Sequence, residues 1–312
     1  MLTFTIAAED HCRQVESFLH NLMPGATRGY RQKLLKSGHI RVNGAERSGE
    51  QLLLETDTLT LKESSRTAAL IRGERPVVDI LYEDDMIIVV NKEPGRSVHN
   101  TSEDTGMDLV LHGEEYMERR GTPCKLRPVN RLDRGTSGAV ILAKSPTAAG
   151  ILGRFIREEG LDKIYLAVVM GEVARDGEID LPLEGKESLT HYRRIFQGTY
   201  DAVVAVYPVT GRTHQIRKHF SIFGHPVVGD KRYGGLMVKG LGGHALHAFA
   251  VGFPNPGTGE SMKVYAPLPQ GLVSLLRQVA GGNFTEILKE LTELEFMGEF
   301  SAGTGSGGEL IC

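Results

Sequence analysis

Residues 86–91 read M-I-I-V-V-N, five apolar side chains in succession with no polar alternation. A strand of that kind is covered on both faces, so the sheet that holds it needs a layer on either side. A second strand-like run, A-V-I-L-A, fills 139–143, and shorter β-type runs recur at 40–42, 163–169, 178–183, 191–196 and 201–208. Helical spacing is rarer. It puts Val15, Phe18, Leu19 and Leu22 on one face, and Ile151, Leu152, Phe155 and Ile156 inward on a helix over 147–158. Many short strands with few helices predict an α+β domain on a mixed, largely antiparallel sheet with flanking helices.

Just before the second run, residues 127–138 read R-P-V-N-R-L-D-R-G-T-S-G. Asp133 stands between Arg131 and Arg134, and nearby positive charge favours the ionised carboxylate. A held, ionised carboxylate can serve as a nucleophile or a base. The Thr-Ser-Gly that follows reads as a tight turn into the strand. A purely structural Arg–Asp clamp at a strand start is the alternative. The surroundings are basic, with seven Lys/Arg against two acids between Met117 and Lys144.

Net charge is −3 over 312 residues. By itself that argues against nucleic acid, but the distribution matters more than the sum. Between Thr27 and Arg47 lie six Lys/Arg and one acid. The helix expected over 28–37 carries Arg28, Arg31, Lys33 and Lys36 on its exposed sides, turns Leu34 and Leu35 inward, and stops at Gly38. A basic helix followed by the Asn43-Gly44 hairpin signal suits phosphate contacts. We therefore expect residues 1–62 to form a small α/β domain suited to phosphate contacts, 63–75 a polar linker and 76–280 the main domain. Residues 281–312 read as an acidic helix and a Gly-rich, partly disordered tail, with six acids to one lysine.

Cys12, Cys124 and Cys312 lie far apart and read as free thiols in a reducing cytoplasm. No apolar run nears the roughly 18 residues of a membrane span, and the first residues carry no export-signal pattern. His214, His219 and His225 have no Cys or carboxylate at ligand spacing, so no metal is expected.

Several of these segments resemble motifs of the RluA-type pseudouridine synthases. The family reads His-Arg-Leu-Asp, two variable positions and Thr-Ser-Gly; Arg131, Leu132, Asp133, Thr136, Ser137 and Gly138 match, with Asn130 in place of His. Lys92-Glu93-Pro94-Gly95 with Val98-His99 precedes it, as in the family. Lys163-x-Tyr165-x-Ala167-x-Val169 follows, and then T-G-R-T-H-Q-I-R and G-H-P-V-V-G-D-K-R-Y-G within 210–234. The first 62 residues, with G-H-I-R-V-N-G at 38–44, resemble the S-four-type RNA-binding domain, named after a small-subunit ribosomal protein.

The resemblance implies the pseudouridine synthase fold, Asp133 as the essential catalytic residue, and Tyr165 beside the target base. Arg217 is the expected partner that holds Asp133 by charge-assisted hydrogen bonds. Arg131, Arg134, Arg212, His214 and Ile216 are expected at the substrate, Ile216 as apolar floor, with Arg28, Arg31, Lys33 and Lys36 on RNA outside the cleft. Turning uridine into pseudouridine breaks N1–C1′ and joins C5 to C1′ without gain or loss of atoms, so no cofactor is expected. The base must leave its stack to be reached. Asp133 could attack C1′ or remove a sugar proton. The expected partner is RNA, ribosomal RNA favoured and transfer RNA possible, and the expected state is a cytoplasmic monomer. The rival is a catalytically inactive RNA-binding or ribosome-assembly protein on the same fold, supported by Asn130. Glycosidase chemistry needs a second carboxylate, and none stands in a matching motif.

Overall fold

The computed structural model describes residues 1–71, 78–99 and 108–297. The N-terminal unit runs β1 (Leu2–Thr5), α1 (Val15–Leu22), α2 (Arg28–Lys36), β2 (Ile40–Val42), β3 (Thr58–Leu61) and α3 (Ser65–Leu70). Its strands pair antiparallel in the order β1-β3-β2. Val15, Leu19, Leu34, Leu35, Ile40 and Leu59 close a core of their own. Thr27 caps α2 by accepting from the Tyr30 amide. Asn43 and Gly44 take positive φ, 51° and 76°, the backbone that such a turn requires.

Two expectations need correction here. Arg31 is not on an exposed side: it is 2% exposed and donates to Glu16 Oε1 at 2.8 Å and to the Ala26 carbonyl at 2.6 Å. Part of the expected linker is helical, because Ser64 and Thr67 exchange hydrogen bonds and start α3. Leu70 and Ile71 then pack back on the N-terminal core. Residues 72–77, with Pro76, lie outside the described residues.

The main body continues with β4 (Ile80–Glu83), β5 (Ile87–Lys92), α4 (Leu109–Arg119), β6 (Arg127–Pro128), β7 (Ser137–Ala143) and α5 (Pro146–Glu158). Then come β8 (Asp162–Met170), β9 (Asp176–Asp180), β10 (Leu189–Gln197), β11 (Asp201–Pro208) and α6 (Gln215–Ile222). It ends with β12 (Leu246–Pro254), β13 (Ser261–Tyr265), α7 (Gln270–Ala280) and α8 (Phe284–Thr292). Among the described residues ten strands form one sheet, ordered β4-β5-β7-β12-β8-β11-β10-β9, with β13 on β12 and β6 on β7. The β7–β12 pair is parallel and the other pairs are antiparallel, so the sheet is mixed and largely antiparallel.

The unbroken apolar runs are explained by two cores, one on each face of β5 and β7. Ile88, Val90, Val140 and Leu142 meet Val110 and Met117 of α4. The alternate residues Ile87, Val89, Ala139 and Ile141 meet Leu152 of α5 and Val264 of β13. Of the residues expected inward on α5, Leu152 is fully buried against the sheet and Phe155 packs beside it, but Ile151 is 41% exposed.

The N-terminal unit is docked on this body. Arg13 binds both oxygens of Asp79 at 2.7 and 2.9 Å, Ser17 Oγ donates to the Ile80 carbonyl at 2.9 Å, and His20 Nε2 meets the Tyr116 hydroxyl at 2.8 Å. At the other end, Phe284, Ile287, Leu288 and Leu291 of α8 enter the main core. The acidic helix is thus packed, while residues 298–312 lie outside the described residues. Among the described residues no helix is long and apolar enough to cross a membrane, and no cluster of His, Cys, Asp or Glu could hold a metal ion.

Candidate active site

The three central strands bring the motifs together. Gly138 of β7 pairs with Ala248 of β12, and Ala248 pairs with Tyr165 of β8. Gly138 sits at φ 117°, where a Cβ would run into the Ala248 carbonyl and lie 2.6 Å from its nitrogen. Only glycine lets β12 come this close to the strand that follows Asp133.

Asp133 Oδ2 accepts from Arg217 Nη1 at 2.8 Å, and His214 Nε2 lies 3.8 Å from Oδ1. The gripping guanidinium therefore comes from α6, 84 positions along the chain. The flanking arginines do something else: Arg131 is exposed, and Arg134 Nε donates to the Gly95 carbonyl at 3.0 Å. Arg217 is itself held from behind. Its Nε and Nη2 bind Asp230 at 2.6 and 2.9 Å, and its guanidinium lies 5.0 Å from the centre of the Tyr233 ring. Burial alone would raise the carboxyl pKa of Asp230, but the Arg217 guanidinium outweighs it and holds the group below the usual carboxylate range. Sequence reasoning gave Asp230 no role. The available signal was an acid close after Arg217, inside the same matching segment.

His214 caps α6 in the left-handed region (φ 56°), an uncommon place for a residue with a Cβ, and its Nδ1 lies 2.9 Å from the Tyr233 hydroxyl. His244 packs against the loop of Asp133, so close that a Cβ on Gly135 would come 2.6 Å from its Nε2. Burial lowers the pKa of both imidazoles; Asp133 pulls the other way at His214, and Asp230 and then Asp133 do so at His244.

Lys92 was also missed. It is 1% exposed, and Nζ donates to the carbonyls of Glu93, Arg96 and Arg134 at 3.1, 2.8 and 3.1 Å. This ties the turn after β5 to the loop of Asp133. Burial pulls its ammonium pKa down to about 7, with Asp133 acting the other way. Asn130 braces the same loop: Nδ2 donates to the Ala139 carbonyl at 3.2 Å, and Oδ1 accepts from the Ile141 amide at 2.8 Å. An amide supplies the donor and the acceptor that this place on β7 needs.

Tyr165 is half-buried between two cores. Burial and then the charge of Asp133 push its phenol pKa up, so it is protonated at rest. The cleft above Asp133 has a volume of about 390 Å³ and is lined by Gly95, Asp133, Arg134, Gly135, His214, Arg217, Arg232, Gly242 and His244. Ile216, expected as its floor, is 6% exposed and belongs to the main core. Arg212 is exposed, with Nε on the Glu187 carbonyl at 3.0 Å. Of the basic residues on α2, Arg28, Lys33 and Lys36 are exposed, and Arg28 donates to the Tyr82 hydroxyl at 2.8 Å and stacks on that ring.

A family model described as RNA pseudouridylate synthase matches residues 86–222. The chain is 31% identical over 308 residues to the ribosomal large subunit pseudouridine synthase C of Escherichia coli, covering 88% of this chain and 95% of that protein. It is 32% identical over 256 residues to the uncharacterized RNA pseudouridine synthase YjbO of Bacillus subtilis, covering 77% and 90%. Human RNA pseudouridylate synthase domain containing 1 superimposes with a TM-score of 0.50 at 29% identity, over 64% of this chain and 86% of that one. Human RNA pseudouridylate synthase domain containing 4 gives a TM-score of 0.53 at 23% identity, over 64% and 92%, a likeness of fold. Identity at this level across nearly the whole of a named synthase, on the same fold, means that the chain belongs to the RNA pseudouridylate synthases of the RluA type.

Proposed function

We propose that the chain converts specific uridines of ribosomal RNA to pseudouridine, with Asp133 as the group that meets the ribose. The observation that carries this reading is a carboxylate held through one oxygen only. Arg217 takes Oδ2, and Oδ1 has no hydrogen bond among the described residues while its residue lines the cleft. That oxygen is available for C1′ or for a sugar proton. The base is cut at N1–C1′, turned and rejoined through C5; N1 takes up a proton and C5 releases one. Tyr165, protonated at rest, serves as a relay for that last proton and not as a standing base.

Eversion of the base costs a few kcal/mol, which phosphate contacts from basic surface offset. In this reading Arg134, Arg212 and Arg232 serve near the cleft, and Lys33 and Lys36 on an S-four-type unit extend the RNA track of a cytoplasmic monomer. Asp133→Asn should abolish tritium release from C5-labelled uridine in ribosomal RNA while RNA binding is kept; turnover at the wild-type rate would refute the assignment. Comparing RNA modification maps of a deletion strain and its parent identifies the position. A pseudouridine missing from transfer RNA would move the substrate.

A further inference from the structure

We propose that Leu236 and Met237 form an apolar wedge that enters the RNA stack beside the everted uridine. The inference rests on the reading of the cleft as a uridine site and adds a second element to it. Both side chains stand in water, 67% and 66% exposed, next to each other in the chain. The segment that carries them leaves the cleft at Arg232 and returns to it at Gly242 and His244.

The exposure does not come from a slack loop. The Gly229 amide donates to the Leu236 carbonyl at 2.7 Å, the Gly235 amide to the Asp230 carbonyl at 2.9 Å, and the His244 amide to the Gly135 carbonyl at 2.9 Å. The Leu236 amide also lies 3.5 Å from Met170 Sδ, and Val238 packs on the main core. The backbone is thus braced against the same Asp230 that holds Arg217, while the two apolar tips point outward. Lys231, Arg232 and Lys239 are exposed around them. Apolar tips inside a cationic rim fit a polyanion whose stacked bases are its apolar part. A flipped nucleotide leaves a gap in the stack, and Leu and Met are side chains able to fill such a gap.

The test uses a hairpin RNA carrying the mapped uridine, and the same hairpin with an abasic nucleotide next to it, where stacking is already absent. The double variant Leu236→Ser/Met237→Ser should lose about 10- to 100-fold in kcat/KM on the first and less than about threefold on the second, since the unstacking cost does not arise there. The swap Leu236→Met/Met237→Leu should keep both activities, and the thermal midpoint should match wild type in each case. Equal losses on both hairpins, or no loss on either, overturns the wedge. No turnover of either hairpin by the wild-type protein would remove the uridine reading, and the wedge with it.

Discussion

Asp230 takes Nε and Nη2 of Arg217 at 2.6 and 2.9 Å, which leaves Nη1 to reach Asp133 at 2.8 Å. A guanidinium can bind one carboxylate through two parallel bonds. Here the two-bond side is spent on a fully buried acid, and the acid at the cleft is held by a single bond. Arg217 is therefore rigid, and one oxygen of Asp133 stays open to the substrate.

Asp230→Asn should expose that dependence. The carboxamide loses the buried charge pairing and sets an NH₂ against the guanidinium, so folding stability should fall by about 3–5 kcal/mol. At a temperature where the variant is folded, single-turnover kcat should fall by more than about tenfold with KM little changed, because the loss is in alignment and not in RNA binding. An unchanged kcat would make Asp230 a matter of stability alone.

Gly138→Ala should destabilise the protein by about 2 kcal/mol or more in urea unfolding, since both φ and the β12 backbone oppose a Cβ. Gly150→Ala is the control. It is an exposed position inside α5 with nothing within 4 Å of the added atom, and helix propensity there should favour alanine by about 1 kcal/mol. Similar effects at the two sites would contradict the close β7–β12 approach.

Among the basic residues of α2, location predicts two kinds of defect. Lys33→Ala and Lys36→Ala should weaken RNA binding and lower the salt slope by about 1 for each phosphate that is no longer neutralised, with stability kept. Arg31→Ala should leave the slope alone and cost about 3–5 kcal/mol of stability by stranding Glu16. Filter binding over a salt series, beside urea melts, separates them; a reduced slope in the Arg31 variant would reverse the assignment.

His247 is fully buried, with Nδ1 at 2.9 Å from Ser137 Oγ and Nε2 at 3.0 Å from the Ala266 carbonyl. Burial pulls its pKa from 6.5 to about 4. As pH falls below 6.5 the unfolded chain takes up this proton first, so its contribution to stability is full above 6.5 and is lost towards 4. The expected slope is about 1.4 kcal/mol per pH unit within that window. His247→Gln should be less stable at pH about 7 and show a flatter fall towards about 5, because it cannot titrate. An equal fall in both proteins would trace the acid sensitivity to other groups.

Residue order alone determined the strands that must be covered on both faces, because five apolar residues in a row at 86–90 leave no side for water. It also determined the turn at Asn43-Gly44 and, through matching motifs, the meeting of Asp133 with Arg217. These are properties of short segments, or of segments whose residue types are specific. Tertiary structure alone decided that Arg31 is buried on Glu16, that Ile151 is left facing water, that Lys92 ties two loops, and that Asp230 stands behind Arg217. A basic residue near the edge of an apolar helix face can point to water or to a partner, and its own helix does not hold the partner. Donors and acceptors of this kind are matched only when elements from distant parts of the chain pack together, so side-chain type sets which bonds are possible and the approach of β7, β8, β12 and α6 selects among them.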